Sequence, residues 1–404
     1  MMRRKRVFAL TILGLALAGT PVTTKANVDV NVKNPVKASA LIDPSEYRRT
    51  LDDLTKTVPL TYNEPVKRMI NYYASSHKAK FSKVLGLSEY YFPIYEKVFK
   101  ERGVPEEIKY LSIVESALNP FALSSAQAGG LWQFLEPVGK IYGLQINETI
   151  DERRDPVLAC NAAASYLLDS YEMYKDWLLA IASYNCGRNN IRWAMEKAPS
   201  ATTYWEIRQY LPAETQSYVP AFIATVYLMN NSKRHGIYPV KPDFNISTRE
   251  IFVNRPVSLY SVAKAVGVEA SDLIVLNAAY KNQIVNGSVE KPGKLVIPVI
   301  KDYLHNALCD VLTKPGKLED ELRLVYTVPV ETKVASVVSK KTSPGSNNSN
   351  YKAVDTYVKY KVKEGDTLSS IVEQFNSTEA EVKVLNRLKQ ASVKPGMVLT
   401  IIQG

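Results

Sequence analysis

The sequence predicts a mainly α-helical fold: one helical domain followed by small α+β modules of β-α-α-β type. Three observations carry this expectation. From about Pro44 to Asn231 apolar residues recur at helical spacing and strand signals are scarce. Beyond Tyr238 short alternating runs flank short helices. There an eighteen-residue spacing repeats, Leu259 to Asn277 and Leu368 to Asn386, with Pro-Gly following at 292–293 and 395–396. At 404 residues the chain exceeds one ordinary core, so two or more domains are expected.

The elements follow in order. Arg3, Arg4, Lys5 and Arg6 precede an apolar run from Val7 to Gly19, and Thr24-Lys25-Ala26 offers a small-residue cleavage site. Residues 1–26 therefore read as a secretory signal peptide. The run is shorter than the ~20 residues of a membrane span. The expectation is an exported protein of the periplasm or cell envelope, with membrane association left open and no transmembrane segment in the mature chain. The formal charge is +11; removing the five basic residues of the leader leaves 46 basic against 40 acidic, or +6. A mildly basic exported protein suits an anionic polymer, and export argues against nucleic acid.

Residues 27–80 read as an N-terminal helical extension and 81–235 as the main helical domain. Pro105 suits a first helical turn, Glu106 and Glu107 suit its positive end, and Asn119-Pro120 is expected to stop that helix. Asp155-Pro156 caps and opens a helix through Leu168. Trp177, Leu178 and Ile181 lead another toward Tyr184, and Glu214 opens a long one through Leu228. Residues 245–300 form the first small module and 358–404 the second. The connecting segment 301–357 includes a Ser-, Lys- and Asn-rich linker from about Ser336 to Lys352.

Glu115 is the candidate for chemistry. Ile108, Leu111 and Leu118 stand seven and four residues before it and three after, which puts all four side chains on one helical face. A glutamate on an apolar face loses solvation of its charged form, so its pKa rises and it can act as a general acid near neutral pH. The competing reading is a partly buried glutamate paired with an arginine. Cys160, Cys186 and Cys309 make neither a disulfide framework nor zinc spacing and read as buried free thiols, although 160 and 186 fall in neighbouring helices. His77, His235 and His305 are scattered. No metal and no cofactor is expected.

Four motifs then appear in order. Glu115-Ser116 is followed by Asn119-Pro120, Ser124 comes nine residues after Glu115, and Gly-Leu-Trp-Gln ends at Gln133. Ser183 to Gly187 reads S-Y-N-C-G, and Leu211 to Pro220 reads L-P-A-E-T-Q-S-Y-V-P. With D-E-R-R-D at Asp151 to Asp155, this set resembles the lytic transglycosylases of the lysozyme-like superfamily, glycoside hydrolase family 23, and most of all the D branch of its membrane-bound members. The likeness runs from about Val84 to Asn231. The departures are Gln127 where the family usually has Gly, Glu136-Pro137-Val138-Gly139 where it has P-x-T-G, and Cys186 in place of Ala or Ser. The second module, with Gly365-Asp366-Thr367-Leu368, resembles a LysM module, which binds N-acetylglucosamine-containing glycans. The first resembles a degenerate LysM, and whether it binds glycan or only spaces the chain stays open.

The resemblance implies a lysozyme-like helical fold and cleavage of peptidoglycan strands between N-acetylmuramic acid and N-acetylglucosamine. Hydrolysis of a glycoside ordinarily takes two carboxylates. Here one convincing acid, Glu115, stands alone, because Asp151, Glu152 and Asp155 lie beside Arg153 and Arg154 as an ion-pair network would. That suits a reaction in which the substrate's own C6 hydroxyl attacks C1 and leaves a 1,6-anhydromuramoyl end. By resemblance Ser124, Gln133, Tyr184, Asn185, Glu214 and Tyr218 line the sugar groove, with Glu214 holding Tyr218 or the substrate. Ser116 and Trp132 read as structural, and Asn185 could also cap the next helix. A goose-type hydrolase and a non-catalytic wall-binding scaffold are the alternatives.

Overall fold

The structure, a computed structural model of the chain, describes residues 43–314 and most of 356–403. The signal peptide and the 336–352 linker expected from sequence lie outside the described residues. The mainly helical expectation holds. Helices α1 (Pro44–Leu54), α2 (Glu64–Ser76) and α3 (Lys78–Arg102) come first. Asp43 and Asn63 accept from backbone N–H groups at the starts of α1 and α2, and Gly103 ends α3 in the left-handed conformation. Next come the short α4 (Leu111–Ser116) and α5 (Glu136–Ile141), then α6 (Pro156–Tyr174), α7 (Trp177–Cys186), α8 (Arg188–Lys197), α9 (Tyr204–Ile207) and α10 (Ala213–Asn231).

Asp155 caps α6 through the N–H groups of Val157 and Leu158, as its position before Pro156 predicts. The helix runs to Tyr174, a turn and a half beyond Leu168, because Tyr166, Leu167 and Ser170 are buried against its neighbours. Helix α10 is the spine: Val219, Phe222, Ile223, Tyr227 and Leu228 are fully buried, and α2 and α7 pack on it. This explains why its sequence shows little one-sidedness, since a helix enclosed all round has no polar face.

The two small modules share one plan. In the first, β1 (Thr248–Val253) pairs antiparallel with β4 (Gly293–Pro298), and α11 (Leu259–Val266) and α12 (Ala270–Leu276) lie between them in sequence. It adds a second strand pair, β2 (Pro256–Ser258) with β3 (Ile284–Asn286). After α13 (His305–Thr313) and the undescribed segment, the second module pairs β5 (Thr356–Lys361) with β6 (Val398–Gln403) around α14 (Leu368–Gln374) and α15 (Glu379–Leu385). The repeated asparagine has the same task in both. Asn277 Nδ2 donates to Leu273 O and Val296 O, at 2.8 and 2.7 Å, while its Oδ1 accepts from Val296 N at 2.8 Å. Asn386 does the same with Val382 O, Thr400 O and Thr400 N, at 2.8, 2.7 and 2.7 Å. One amide thus ties the end of the second helix to the last strand, which is why the spacing from Leu to Asn repeats.

Candidate active site

Glu115 lies at the end of α4, 5% exposed, and burial pushes its carboxyl up to about 8. Nearby negative charge on Glu214 adds to the rise, and a hydrogen bond from Tyr218 opposes it. The sequence argument for burial therefore holds, but its geometry does not in full. Glu106–Tyr110 is a 3-10 turn, so Ile108 is not on the α-helix of Glu115. The helix stops at Ser116, before Asn119-Pro120, because Ala117 and Leu118 adopt φ of 53° and 61°. What covers the carboxylate is largely tertiary: the Tyr218 phenol from α10 donates to Glu115 Oε1.

The loop from Ala122 to Phe134 packs over α4. Ser112 and Ser116 both donate to Leu131 O, at 2.9 and 2.8 Å, which gives Ser116 its structural role. Trp132 is fully buried between Tyr95 and Phe99, a core residue as expected. Ser124 Oγ accepts from Ala128 N at 3.0 Å, closing the tight turn, and Ser124 is 4% exposed. Gln133, φ 47°, spends its amide nitrogen on Ala122 O and Gly130 O at 3.2 and 2.9 Å. With the nitrogen spent on the loop, the amide oxygen is the end that can accept from a ligand. Gln127 takes φ 65°, the left-handed conformation that glycine adopts without strain. That accounts physically for the family's glycine at this position.

Helices α7 and α10 supply the other wall. The half-buried Tyr184 donates to Trp132 O at 2.8 Å; burial pushes its phenol up, and the nearby Glu115 charge adds to the rise. Asn185 is not a cap of α8, where Gly187 holds that place. It accepts from Thr215 at 2.7 Å and donates to Glu214 Oε1 at 3.3 Å. Glu214 therefore engages Asn185, and Tyr218 engages Glu115. Sequence spacing could not give these partners, because α4, α7 and α10 meet only in the folded domain.

The acidic and basic run after the loop forms only part of the expected ion-pair network: Asp151 pairs with Arg153 and Arg154, whereas Asp155 pairs with Lys294 and Glu152 accepts from Gln145 N. Asp151 takes a forked bond from Arg153, 2.9 and 2.8 Å, with both residues buried. Arg153 also donates to Gln127 O and Phe134 O, at 2.9 and 3.0 Å, a role in the loop that the sequence reading missed. The thiol expectation needs one correction: Cys160 is buried, but Cys186 is half-buried and Cys309 exposed; none of the three is in a disulfide. Among the described residues no group of three or more His, Cys, Asp or Glu side chains is placed to hold a metal, and no helix is long and apolar enough to cross a membrane. A cavity of about 480 Å3 lies elsewhere, between the start of α6 and the first module.

Comparison with known proteins agrees with this layout. Residues 93–206 match the Transglycosylase SLT domain, 247–303 the Lytic transglycosylase MltD, LysM-like domain, and 360–401 the LysM domain. Membrane-bound lytic murein transglycosylase D from Escherichia coli strain K12, and the same protein from strain O6:H1, are 30% identical over 309 residues. That alignment covers 76% of this chain and 62% of each relative, so the chain spans less than two thirds of their length. The crystal structure of the 70 kDa soluble lytic transglycosylase SLT70 from Escherichia coli aligns at a TM-score of only 0.32 and 17% identity, over 49% of this chain and 34% of that one. The chain thus carries a transglycosylase SLT domain followed by two LysM-type domains, and it resembles the membrane-bound lytic murein transglycosylases of the D type.

Proposed function

We propose that this protein is a peptidoglycan lytic transglycosylase that cleaves between N-acetylmuramic acid and N-acetylglucosamine and leaves 1,6-anhydromuramoyl ends. The observation that carries the reading is Glu115: buried, held up to about 8, and therefore protonated at neutral pH. It donates its proton to the glycosidic oxygen. As a carboxylate it then takes the proton of the C6 hydroxyl while that oxygen bonds to C1. An attacking group already in the substrate has a high effective concentration, so no carboxylate has to position water. Tyr218 steadies the carboxylate form. Ser124 and the Gln133 carbonyl meet the sugar's hydroxyl and N-acetyl groups, and Tyr184, Asn185 and Glu214 form the opposite wall. No cofactor takes part. Domain limits of 81–235, 245–300 and 358–404 fit this division of labour, and the leader at 1–26 directs the enzyme to the periplasm or cell envelope.

The charge of Glu214 on the Glu115 side supports a second reading, in which Glu214 positions water and the products are reducing ends. Mass spectrometry of muropeptides after digestion separates the two. Anhydro ends support the transglycosylase, reducing ends the hydrolase, and no cleavage by the folded protein would leave a wall-binding scaffold.

A further inference from the structure

The first LysM-like module is bonded to the segment that braces the candidate active-site loop. Asp151 N donates to Ala279 O at 2.8 Å and Lys281 N to Thr149 O at 3.0 Å, a short antiparallel seam centred on Ile150 and Tyr280. Three lysines flank it. Lys281 Nζ donates to Asn147 O at 3.0 Å, Lys291 to Gln145 Oε1 at 2.9 Å, and Lys294 pairs with Asp155 at 2.9 Å. The seam uses residues 279–281, between α12 and β4.

The seam continues inward. Asp151, whose N–H is in it, also fixes the Arg153 guanidinium. Arg153 donates to Gln127 O and Phe134 O, and Arg153 O accepts from Leu131 N at 3.2 Å. Gly129 and Gly130 lie flat on it: a Cβ on Gly130 would come 1.9 Å from Arg153 O, and one on Gly129 2.9 Å from the guanidinium carbon. Leu131 in turn accepts from Ser112 and Ser116 on the Glu115 helix. An unbroken path of hydrogen bonds therefore joins the module to the loop that carries Ser124 and Gln133.

We propose that the first module is a fixed arm of the active site, and that Arg153 is the positioning residue through which its docking holds loop 122–134 in place. The arm rests on the transglycosylase reading only in taking that loop as a wall of the sugar groove. Arginine suits the place because its planar fork makes four hydrogen bonds, two to the Asp151 carboxylate and two to carbonyls, where an ammonium has only three donors.

The experiment uses full-length protein with Lys294→Glu, which sets a carboxylate against Asp155 and Glu250, and with Arg153→Lys. Hydrogen exchange followed by mass spectrometry reads the loop directly. In both variants peptides within 122–134 are expected to exchange roughly tenfold faster, with melting otherwise retained. On a soluble glycan KM should rise roughly tenfold while kcat changes little, whereas mere loss of folded protein would lower apparent kcat at constant KM. In the double variant the effects should fall short of their sum, because both act along one path. Should Lys294→Glu not fold, Lys294→Met removes the pair without repulsion and gives the same reading. A seam that opens while the loop stays protected, or a seam that charge reversal fails to open, overturns the arm. Loss of loop protection with an unchanged KM leaves the arm standing and removes the loop from the sugar groove.

Discussion

The Tyr218 phenol donates directly to the Glu115 carboxylate across 103 residues of sequence. It is a hydrogen bond to the charged form inside a buried site, so it holds the carboxyl lower than burial alone would. Removing it in Tyr218→Phe should raise the Glu115 pKa by about one unit, since bonds to charged groups are worth roughly 1.5–3 kcal/mol. The protonated form starts the reaction, so activity falls as pH rises through about 8, and in the variant that limb should move to higher pH. Turnover at the optimum should drop ~10-fold with the loss of a donor to the developing charge. A pH–rate profile on a soluble glycan checks both, and an unmoved limb would show that the bond is not made during catalysis.

Glu115→Gln should abolish cleavage, because the amide can neither give nor take the proton. Loss of such a group typically costs ~10²–10⁴-fold or more. The same change should stabilise the fold. A carboxyl whose pKa rises from 4.5 to about 8 on folding keeps a proton that the unfolded chain loses, so folding weakens as pH climbs through that window. At pH 7 the variant should gain on the order of 1–3 kcal/mol, and at pH 4 little. Urea denaturation at the two pH values measures this. Equal stability of both proteins at pH 7 would mean the carboxylate is better solvated than its burial implies.

The loop makes two opposite predictions three residues apart. Gln127→Gly should stabilise by about 0.5–1 kcal/mol, because the residue already holds φ 65°. Gly130→Ala should destabilise by about 2 kcal/mol or more and reduce activity, because φ is 80° and the new Cβ meets Arg153 O. Thermal melting of the two variants gives the signs. A neutral Gly130→Ala would show that the loop is not clamped on Arg153.

Deleting residues 353–404 should weaken binding to insoluble peptidoglycan while sparing turnover of short soluble glycans. The second module has its own small core of Val362, Leu368, Ile371, Val382, Leu399 and Ile401, separate from that of the helical domain. A tethered binder raises local substrate concentration without touching the chemistry. Pull-down of the truncated and full-length forms on insoluble wall decides it, and equal retention would remove the module from substrate capture.

Much of the architecture was written locally. The Asp155-Pro156 cap, the helix led by Trp177, the long helix after Glu214 and the doubled Leu-to-Asn spacing all came through, since each depends on residues within a few turns of one another. The burial of Glu115 also came through, although the face that predicted it included Ile108 and Leu118, which the 3-10 turn and the left-handed Ala117 and Leu118 take off the helix. The helix-cap alternative for Asn185 falls away because its bonds run to Thr215 and Glu214 on another helix.

The sequence by itself determined which segments are helices, where the repeat lies, and which carboxylate is buried, because periodicity, caps and motif spacing are properties of neighbouring residues. Only the tertiary structure decided that Tyr218 holds that carboxylate, that Gln133 spends its amide nitrogen on its own loop, and that Arg153 links the loop to the first module. Those partners are set by how α4, α7, α10 and the module's seam close on one another. A hydrogen bond between such elements depends on ångström-scale placement in the folded chain, which no local pattern encodes.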